Sequence, residues 1–518
     1  MARRIDIRIR LLGTAAIAGA ALLATLPGAT ASTDRTATPD SLAGVFADAQ
    51  GGDTILLASG DYGKFDGGLK SGEVVLRSQP GAAVTFGLLS FRKATNITVD
   101  GVTIKEMEIG GSETKNIVVR NSDVPGQTTF RTEELKNANI LFDRNVHHDW
   151  NKTDACQCGE GRISLQGVGS EPTGITIQNS EFRGGMSDGI QNGSNGTRIL
   201  YNTFHDLVPG SADGVHTDAI QLYGSRNTLI KGNYFHDVGA QQIMSPDGAD
   251  HEIIEDNVFG PGDYPYAITL WSDDGSIVRH NTMVPGSCWF HLPCGIVTLG
   301  QKDSCRYADE CDTGRGTVIE NNIMADIGIG EGKADFTSQS NLLQAAGAKG
   351  ARGLIGKPVF VGGAHPTTYA GYRLAPGSPG RGAASDGGDL GIRVSADAGA
   401  APPPSARTSS IRVLSSLRAI RRTGRLRLRI HTATTGIVVV SSSVRPGRAI
   451  ASWKGRHSRT AIKLRTVSLG RRNAGTRTVA IKVGRGTRLT LGRSRSARLS
   501  VRLRAGSAVT TANLAIKR

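Results

Sequence analysis

The chain has 518 residues, room for two or three domains. Its formal charge of +16 averages two unlike parts: residues 401–518 hold 28 Lys and Arg and no Asp or Glu, so the first 400 residues carry all 45 acids against 33 bases. Beyond the N-terminus no run reaches the ~18 apolar residues of a bilayer-spanning helix, so the mature protein is expected to be soluble or surface-bound.

Residues 1–31 read as an export signal, with the basic MARRIDIRIR, the apolar LLGTAAIAGAALLATL and a small-x-small site at Ala29-Thr30-Ala31. A secreted or surface-associated protein is therefore expected. The six cysteines fit an oxidising compartment, with local bridges Cys288–Cys294 and Cys305–Cys311 expected to pin two long loops. In residues 37–60, Leu42, Val45, Phe46 and Ala49 share one face of a short amphipathic helix, started by Pro39 and Asp40 or capped by Ser41. That helix is expected to cover the open end of the repeat domain C-terminal to it.

From Asn96 to Asn322 one phrase recurs: a few β-branched or apolar residues, a polar residue, Asn, then another apolar pair. It reads NITVDGVTI at 96–104, NILFDRNVH at 139–147, GITIQNSEF at 174–182 and TVIENNIM at 317–324. Its matching position falls at Gly101, Asn121, Asn145, Asn179, Asn202, Asn233, Asn257, Asn281 and Asn322, mostly 20–24 residues apart with longer steps between. A second phrase, such as GRISLQG, DGIQNGS or TDAIQLYG, places Ile163, Ile190, Ile220, Ile243, Ile268 and Ile296 once per period. Two or more strand phrases per period, with Gly or Asn at the turns, give the stacked coils of a parallel β-helix. The Asn column is expected to close a turn by bonding the coils above and below, because Asn tolerates left-handed backbone and caps turns. The pairs His148-Asp149, His205-Asp206 and His236-Asp237 recur at one coil position and read as a structural column.

The candidate chemistry lies in the middle coils. Asp188 and Asp218 each stand two residues before an Ile, so coils ~4.8 Å apart bring both carboxylates to one groove. Gln241 and Gln242 occupy that place in the next coil. Asp213, His216, Gln191, Gln221, Gln242 and Asp247 complete a polar patch. Paired carboxylates can divide acid and base roles; Asp188, Asp218 and Asp247 are also a candidate Ca²⁺ set. For removal of a proton beside a uronate carboxylate, the candidate bases are His216, His251 and Lys302, with Arg162 neutralising the carboxylate. The insertions at 149–161, 207–217 and 285–293 are expected to overhang this face, where Trp271 offers a ring for stacking on sugar.

The repeat resembles the pectin-lyase-like superfamily of right-handed parallel β-helices over residues 37–395, including the ending YRLAPGSPGRGAASDGGDLGI. The resemblance implies a fold shared by pectate, alginate and chondroitin lyases, polygalacturonases and epimerases. HTDAIQL at 216–222 is similar to the NTDGxD phrase of polygalacturonases, which matches Asp218 to one of their catalytic acids. Their following DD pair is replaced by Gln241 and Gln242, and their GHG and RIK phrases are absent.

After a Pro- and Ala-rich linker at 398–410, residues 411–518 alternate apolar and polar in about eight short phrases, among them RLRLRIH, TRTVAIKV, TRLTL and RLSVRLR, as in a small β-sandwich. Arg425, Arg427 and Arg429 fall on one strand face, and an acid-free Arg face is expected to bind cell-wall or other polyanion. The whole then reads as all-β: a helix-capped right-handed parallel β-helix followed by a small basic β-sandwich. The expected function is binding and β-elimination of an acidic polysaccharide by a monomer, Ca²⁺-assisted. The alternatives are a glycoside hydrolase using Asp188 and Asp218, and a non-catalytic wall-attached adhesion or structural protein.

Overall fold

The computed structural model describes residues 33–150, 161–166, 172–207, 217–246, 248–262, 264–284, 288, 292–300, 314–330, 334–344, 353–393, 410–413, 415–432, 436–446, 462–464, 466–472, 475–494, 496–505 and 508–517. The chain divides into two compact units, Met1–Ala398 and Gly399–Arg518. The export signal, most of the 398–410 linker and Cys156, Cys158, Cys305 and Cys311 lie outside the described residues.

The first unit is a parallel β-helix whose coils contribute to three ladders. The first ladder has thirteen strands, among them Ile140–Asp143, Ile175–Gln178, Arg198–Leu200, Leu229–Lys231 and Ile253–Glu255. The second includes Val146–His148, Glu181–Arg183, Thr203–His205 and Tyr234–His236. The third includes Ile163–Gln166, Ile190–Asn192, Ile220–Leu222, Ile243–Ser245, Tyr266–Trp271 and Ile296–Gly300. Alternation along each strand sends one residue inward, and parallel pairing puts the same inward residue on every coil. In the second ladder this stacks His147, Phe182, Phe204, Phe235 and Phe259, with ring centroids 4.6, 4.7, 5.0 and 5.0 Å apart. Burial pushes His147 down to about 3, so it sits in that stack as a neutral ring. In the third ladder Ile163, Ile190, Ile220, Ile243 and Ile268 are in register. The last expected member, Ile296, is displaced: an irregularity between Tyr266 and Ile268 pairs Ile268 with Val297 instead.

The Asn column sits at the turn from the first ladder to the second. Asn202, Asn233, Asn257, Asn281, Asn322 and Asn341 are all buried. Each side-chain oxygen from Asn233 onward accepts the backbone N–H of the Asn one coil before, at 2.9–3.0 Å. Gly101, Asn121 and Asn179 are not in this column. They occupy the position just before it, where φ is 75°, 52° and 51°, and Ser122 and Ser180 fill the ladder in the coils of Asn121 and Asn179. Ser supplies the same acceptor or donor at shorter reach, which is why the Asn pattern slips by one there.

The helix Leu42–Asp48 buries Leu42 and Phe46 at the open end of the first coil. Ser41 makes no side-chain cap to it; its hydroxyl accepts the Thr38 N–H instead. After the last coil, residues 360–392 run back along the second ladder and lay Phe360, Tyr372, Leu374 and Leu390 on Tyr234, Val258 and Ile323. Arg393 then locks onto Asp256 with two side-chain bonds, at 3.0 and 3.1 Å.

The second unit has a three-stranded antiparallel sheet (Ser410–Val413, Arg425–Thr432, Gly475–Lys482) and a five-stranded one (Gly436–Pro446, Ile462–Lys463, Val467–Arg472, Ser496–Ala505, Ala508–Lys517). Leu426, Leu428 and Ile481 from the first and Val440, Val444, Leu499 and Leu503 from the second share one apolar cluster. TRLTL, read as a strand, lies in the helix Arg485–Gly492. That helix packs on a second one, Leu417–Thr423, and buries Leu491 while Leu489 stays 45% exposed; a strand would have put both leucines on one face.

Candidate functional site

The outward face of the third ladder carries Ser164, Gln191, Gln221, Met244, Thr269 and Thr298 in register. Of these, Ser164, Gln191, Gln221, Thr269 and Thr298 are buried although they point away from the solenoid core. This face is thus a covered polar seam and not the open groove expected from sequence.

Asp188 and Asp218 meet at the head of this face. One oxygen of Asp188 accepts the Asp218 N–H at 2.8 Å and the other accepts the Gln191 side-chain N–H at 2.9 Å. Asp218 repeats the motif one coil on, accepting the Gln241 N–H at 3.0 Å. The two carboxylates are neighbours, as the coil spacing predicts, but both are buried and each holds the backbone of the next coil. In this arrangement they hold Gln191, Asp218 and Gln241 in place.

Arg162 does not neutralise a substrate carboxylate. It is wholly buried, and its guanidinium donates to the carbonyls of Gly184, Ser187 and Asp188, the last at 3.1 Å. Burial pulls it down to about 10, against the raising charge of Asp188 and Asp149, so it stays a cation. Replacing it by Met should leave the Gly184 and Ser187 carbonyls unsatisfied, while the Asp188 carbonyl keeps the backbone N–H of residue 162, and cost about 3 kcal/mol in denaturant unfolding. A loss below ~1 kcal/mol would show that these carbonyls find other donors.

Sequence reasoning missed three tyrosines. The Tyr223 hydroxyl lies 3.4 Å from Gln191 Nε2. The rings of Tyr264 and Tyr266 meet edge-on at 5.5 Å. Burial, then the neighbouring Tyr266 and the Asp218 charge, push the Tyr264 phenol up, while a hydrogen bond to Gln241 partly offsets this. Tyr264, Gln242, Gly262, Ala267 and Cys294 line a shallow recess with room for about one water molecule. Cys294 is tied there to Cys288, their Cα atoms 5.2 Å apart, as expected from spacing. The one available signal was DYPY at 263–266, an aromatic pair in an insertion just before a strand.

Other candidates are placed elsewhere. His251 is exposed at the turn from the third ladder to the first, in left-handed backbone (φ 59°), at the opposite end of the strand from Asp218. Trp271 ends its strand two coils further on, more than ~15 Å from Asp218 by strand rise and coil spacing. Asp213, His216, Asp247 and Lys302 lie outside the described residues. The His column is present, with Arg183 filling its gap: His148, Arg183, His205 and His236 are in register on the second ladder. Asp149, Asp206 and Asp237 turn in left-handed backbone, and each faces the preceding His Nδ1 at 3.1–3.3 Å.

Both Asp188 oxygens accept N–H bonds, and Asp247 of the expected Ca²⁺ set lies outside the described residues. Among the described residues no group of three or more His, Cys, Asp or Glu is placed to hold a metal ion.

Residues 161–332 match the family model described as the right handed beta helix region. No curated protein matches the sequence. Among solved structures the chain is similar to a PL6 family alginate lyase, AlyGC, at 15% identity and TM-score 0.37, covering 70% of this chain and 59% of that one. It is similar to the Streptococcus pneumoniae surface protein and adhesin PfbA at 13% identity and TM-score 0.32, covering 61% of this chain and 91% of that one. For pectate lyase Pel9A the values are 13% identity, TM-score 0.28 and coverage of 70% and 96%. The chain thus spans about three fifths of that alginate lyase. No described helix is long and apolar enough to cross a membrane. With the three-ladder coil geometry, the family match makes residues 161–332 part of a right-handed parallel β-helix, the fold of the pectin-lyase-like superfamily.

Proposed function

We propose that the solenoid binds an acidic polysaccharide and cleaves it by β-elimination at the head of the third ladder. The observation that carries this reading is Tyr264: a half-buried phenol beside Asp218 and Gln241, on a recess it shares with Gln242. A phenol that is protonated at neutral pH has the proton a leaving oxygen needs, though raised it is a weaker acid than a free tyrosine. The base in this reading is His216, two residues before Asp218 in the chain. It takes the proton from C5 of a uronate, the C4–O bond breaks, a C4=C5 double bond forms, and Tyr264 protonates the departing oxygen. Side-chain amides, foremost Gln242 on the recess, donate to the uronate carboxylate and blunt the charge that develops there. Asp188 and Asp218 are positioning residues. The two-carboxylate hydrolase has less support, since Asp188 is buried with both oxygens engaged. In the same reading the protein is exported and monomeric, and residues 411–518 hold it to an anionic wall or glycan.

The test is ultraviolet absorbance of unsaturated uronate on alginate, pectate and glycosaminoglycan. Tyr264→Phe should lower kcat by roughly 10²-fold, and His216→Gln by a similar factor, with thermal stability unchanged. Asp218→Asn should move the alkaline limb of the kcat profile to lower pH, because it removes a charge that raises the phenol. New reducing ends without absorbance would establish hydrolysis instead. No product from any polymer would leave the non-catalytic adhesion reading.

A further inference from the structure

We infer that the basic unit engages two anionic polysaccharide chains at once, one on each outer sheet face. The shared apolar core fixes which residues point outward. On the three-stranded sheet Leu426 and Leu428 face the core, and Arg425 and Arg427 are exposed on the other side, with Lys482 directly opposite Arg425. On the five-stranded sheet Leu499, Val501 and Leu503 face the core. Arg498 and Arg502 are exposed on the outer side, with Arg445 directly opposite Arg498. The two cationic rows therefore look away from each other across one core.

Like charges directly opposite on neighbouring strands destabilise a sheet. Residues 401–518 contain no Asp or Glu to offset them. A polymer bearing repeated anionic groups relieves that repulsion, and the rows offer charges about 5 Å apart across strands and about 7 Å apart along them. A sugar polymer is favoured over nucleic acid because the same residues hold one aromatic, Trp453, and no set of rings for stacking bases. With two such faces a single protein cross-links polymer chains as well as holding on to one.

This inference rests on the reading of residues 411–518 as a polyanion-binding unit, and its test separates the two. The probe is a short dextran sulfate, which has no uronate and so bypasses the proposed cleavage, titrated calorimetrically into the full-length protein. The expected result is two oligosaccharides per protein. One should remain in Arg425→Gln/Arg427→Gln/Lys482→Gln, one in Arg445→Gln/Arg498→Gln/Arg502→Gln, and none in the six-fold variant. Circular dichroism should be unchanged throughout, since all six side chains are exposed. Long dextran sulfate should raise light scattering with the wild type and with neither triple variant. A wild-type stoichiometry of one would overturn bivalency while leaving attachment standing. No binding at all would overturn both. Tighter binding of a DNA duplex than of dextran sulfate would overturn the choice of a glycan.

Discussion

Replacing Asn257 by Ala should cost the solenoid about 3–5 kcal/mol, among the largest losses available to a single side chain in this fold. Its Oδ1 accepts the backbone N–H of Asn233 at 2.9 Å and the Asn233 side-chain N–H at 3.0 Å. Its Nδ2 donates to the Ile230 carbonyl at 2.9 Å and to Asn281 Oδ1 at 3.0 Å. One carboxamide thus serves three coils, and its surroundings are fully buried. Alanine leaves a backbone N–H and a carbonyl without partners, each at about 1–3 kcal/mol, and opens a cavity besides. The outer ladder of Asn96, Asn116 and Asn139 supplies the contrast. It has the same residue type and similar bonds, at 2.7 and 2.8 Å, but it is exposed. Asn116→Gly keeps the left-handed backbone (φ 55°) at that position and should cost within about 1 kcal/mol. Denaturant unfolding of the two variants gives the comparison, and equal losses would mean that burial does not set the strength of these ladders.

The coil repeat was legible because parallel stacking forces one residue type into one column, and the columns recur in sequence. The same logic located Asp188 beside Asp218 without any structure. It failed where two columns are adjacent and chemically alike. Asn121 and Asn179 satisfy the pattern, yet they occupy the left-handed position, and the ladder passes through Ser122 and Ser180. It failed again where burial is decided by chain from outside the repeat. Nothing in DGIQ or TDAIQ tells that both carboxylates are enclosed, or that Arg162 spends its donors on backbone carbonyls. Tyr264 was missed because it stands in an insertion, which carries no period. His251 is near Asp247 in sequence, but the turn after the third ladder sends it to the far end of the strand. In the basic unit, alternation marks strands such as Arg425–Thr432 and Ser496–Ala505, but AIKLRTVSL is split between two strands, and T-R-L-T-L alternates as well as any strand and is helical. Five residues do not separate the two periods.

Two buried acids should take stability from the solenoid as pH rises from about 4 to about 8, against buried histidines that add it up to about pH 6.5. Glu252 and Asp273 are almost wholly enclosed. Glu252 accepts from the Ser225 hydroxyl at 2.7 Å and from the Thr228 N–H. Asp273 accepts from Ser276 at 2.6 Å and Thr317 at 2.8 Å, and Ser276 also accepts the Glu252 N–H at 2.8 Å. No cation is among these partners. Burial pushes Glu252 up from 4.5 to about 8 and Asp273 from 3.8 to about 7, each raised further by nearby carboxylates. The folded chain therefore binds two protons that the unfolded chain releases near pH 4. Below that range the two states are equally protonated and nothing is lost. Through the window the unfolded state alone is ionised, so stability drops, by ~1.4 kcal/mol for each pH unit that separates a group's unfolded and folded values. Above pH 8 both states carry the charge and the loss levels off. His148 and His205, each raised to about 9, lose stability in the same direction, but only from about pH 6.5 upward. Asp100 and Glu255, held low by arginine and lysine partners against burial, act only at the acid end. Glu252→Gln with Asp273→Asn keeps the shapes and hydrogen-bonding capacity while removing both titrations. Buried His147, lowered to about 3, and His236 and His280, also lowered by burial, act the other way up to about pH 6.5, so the acids are read as a difference: the melting temperature of the pair minus that of the wild type should grow from pH 4 to pH 8. A difference that stays level across that interval would mean that the two carboxyls ionise in the folded chain as readily as in water.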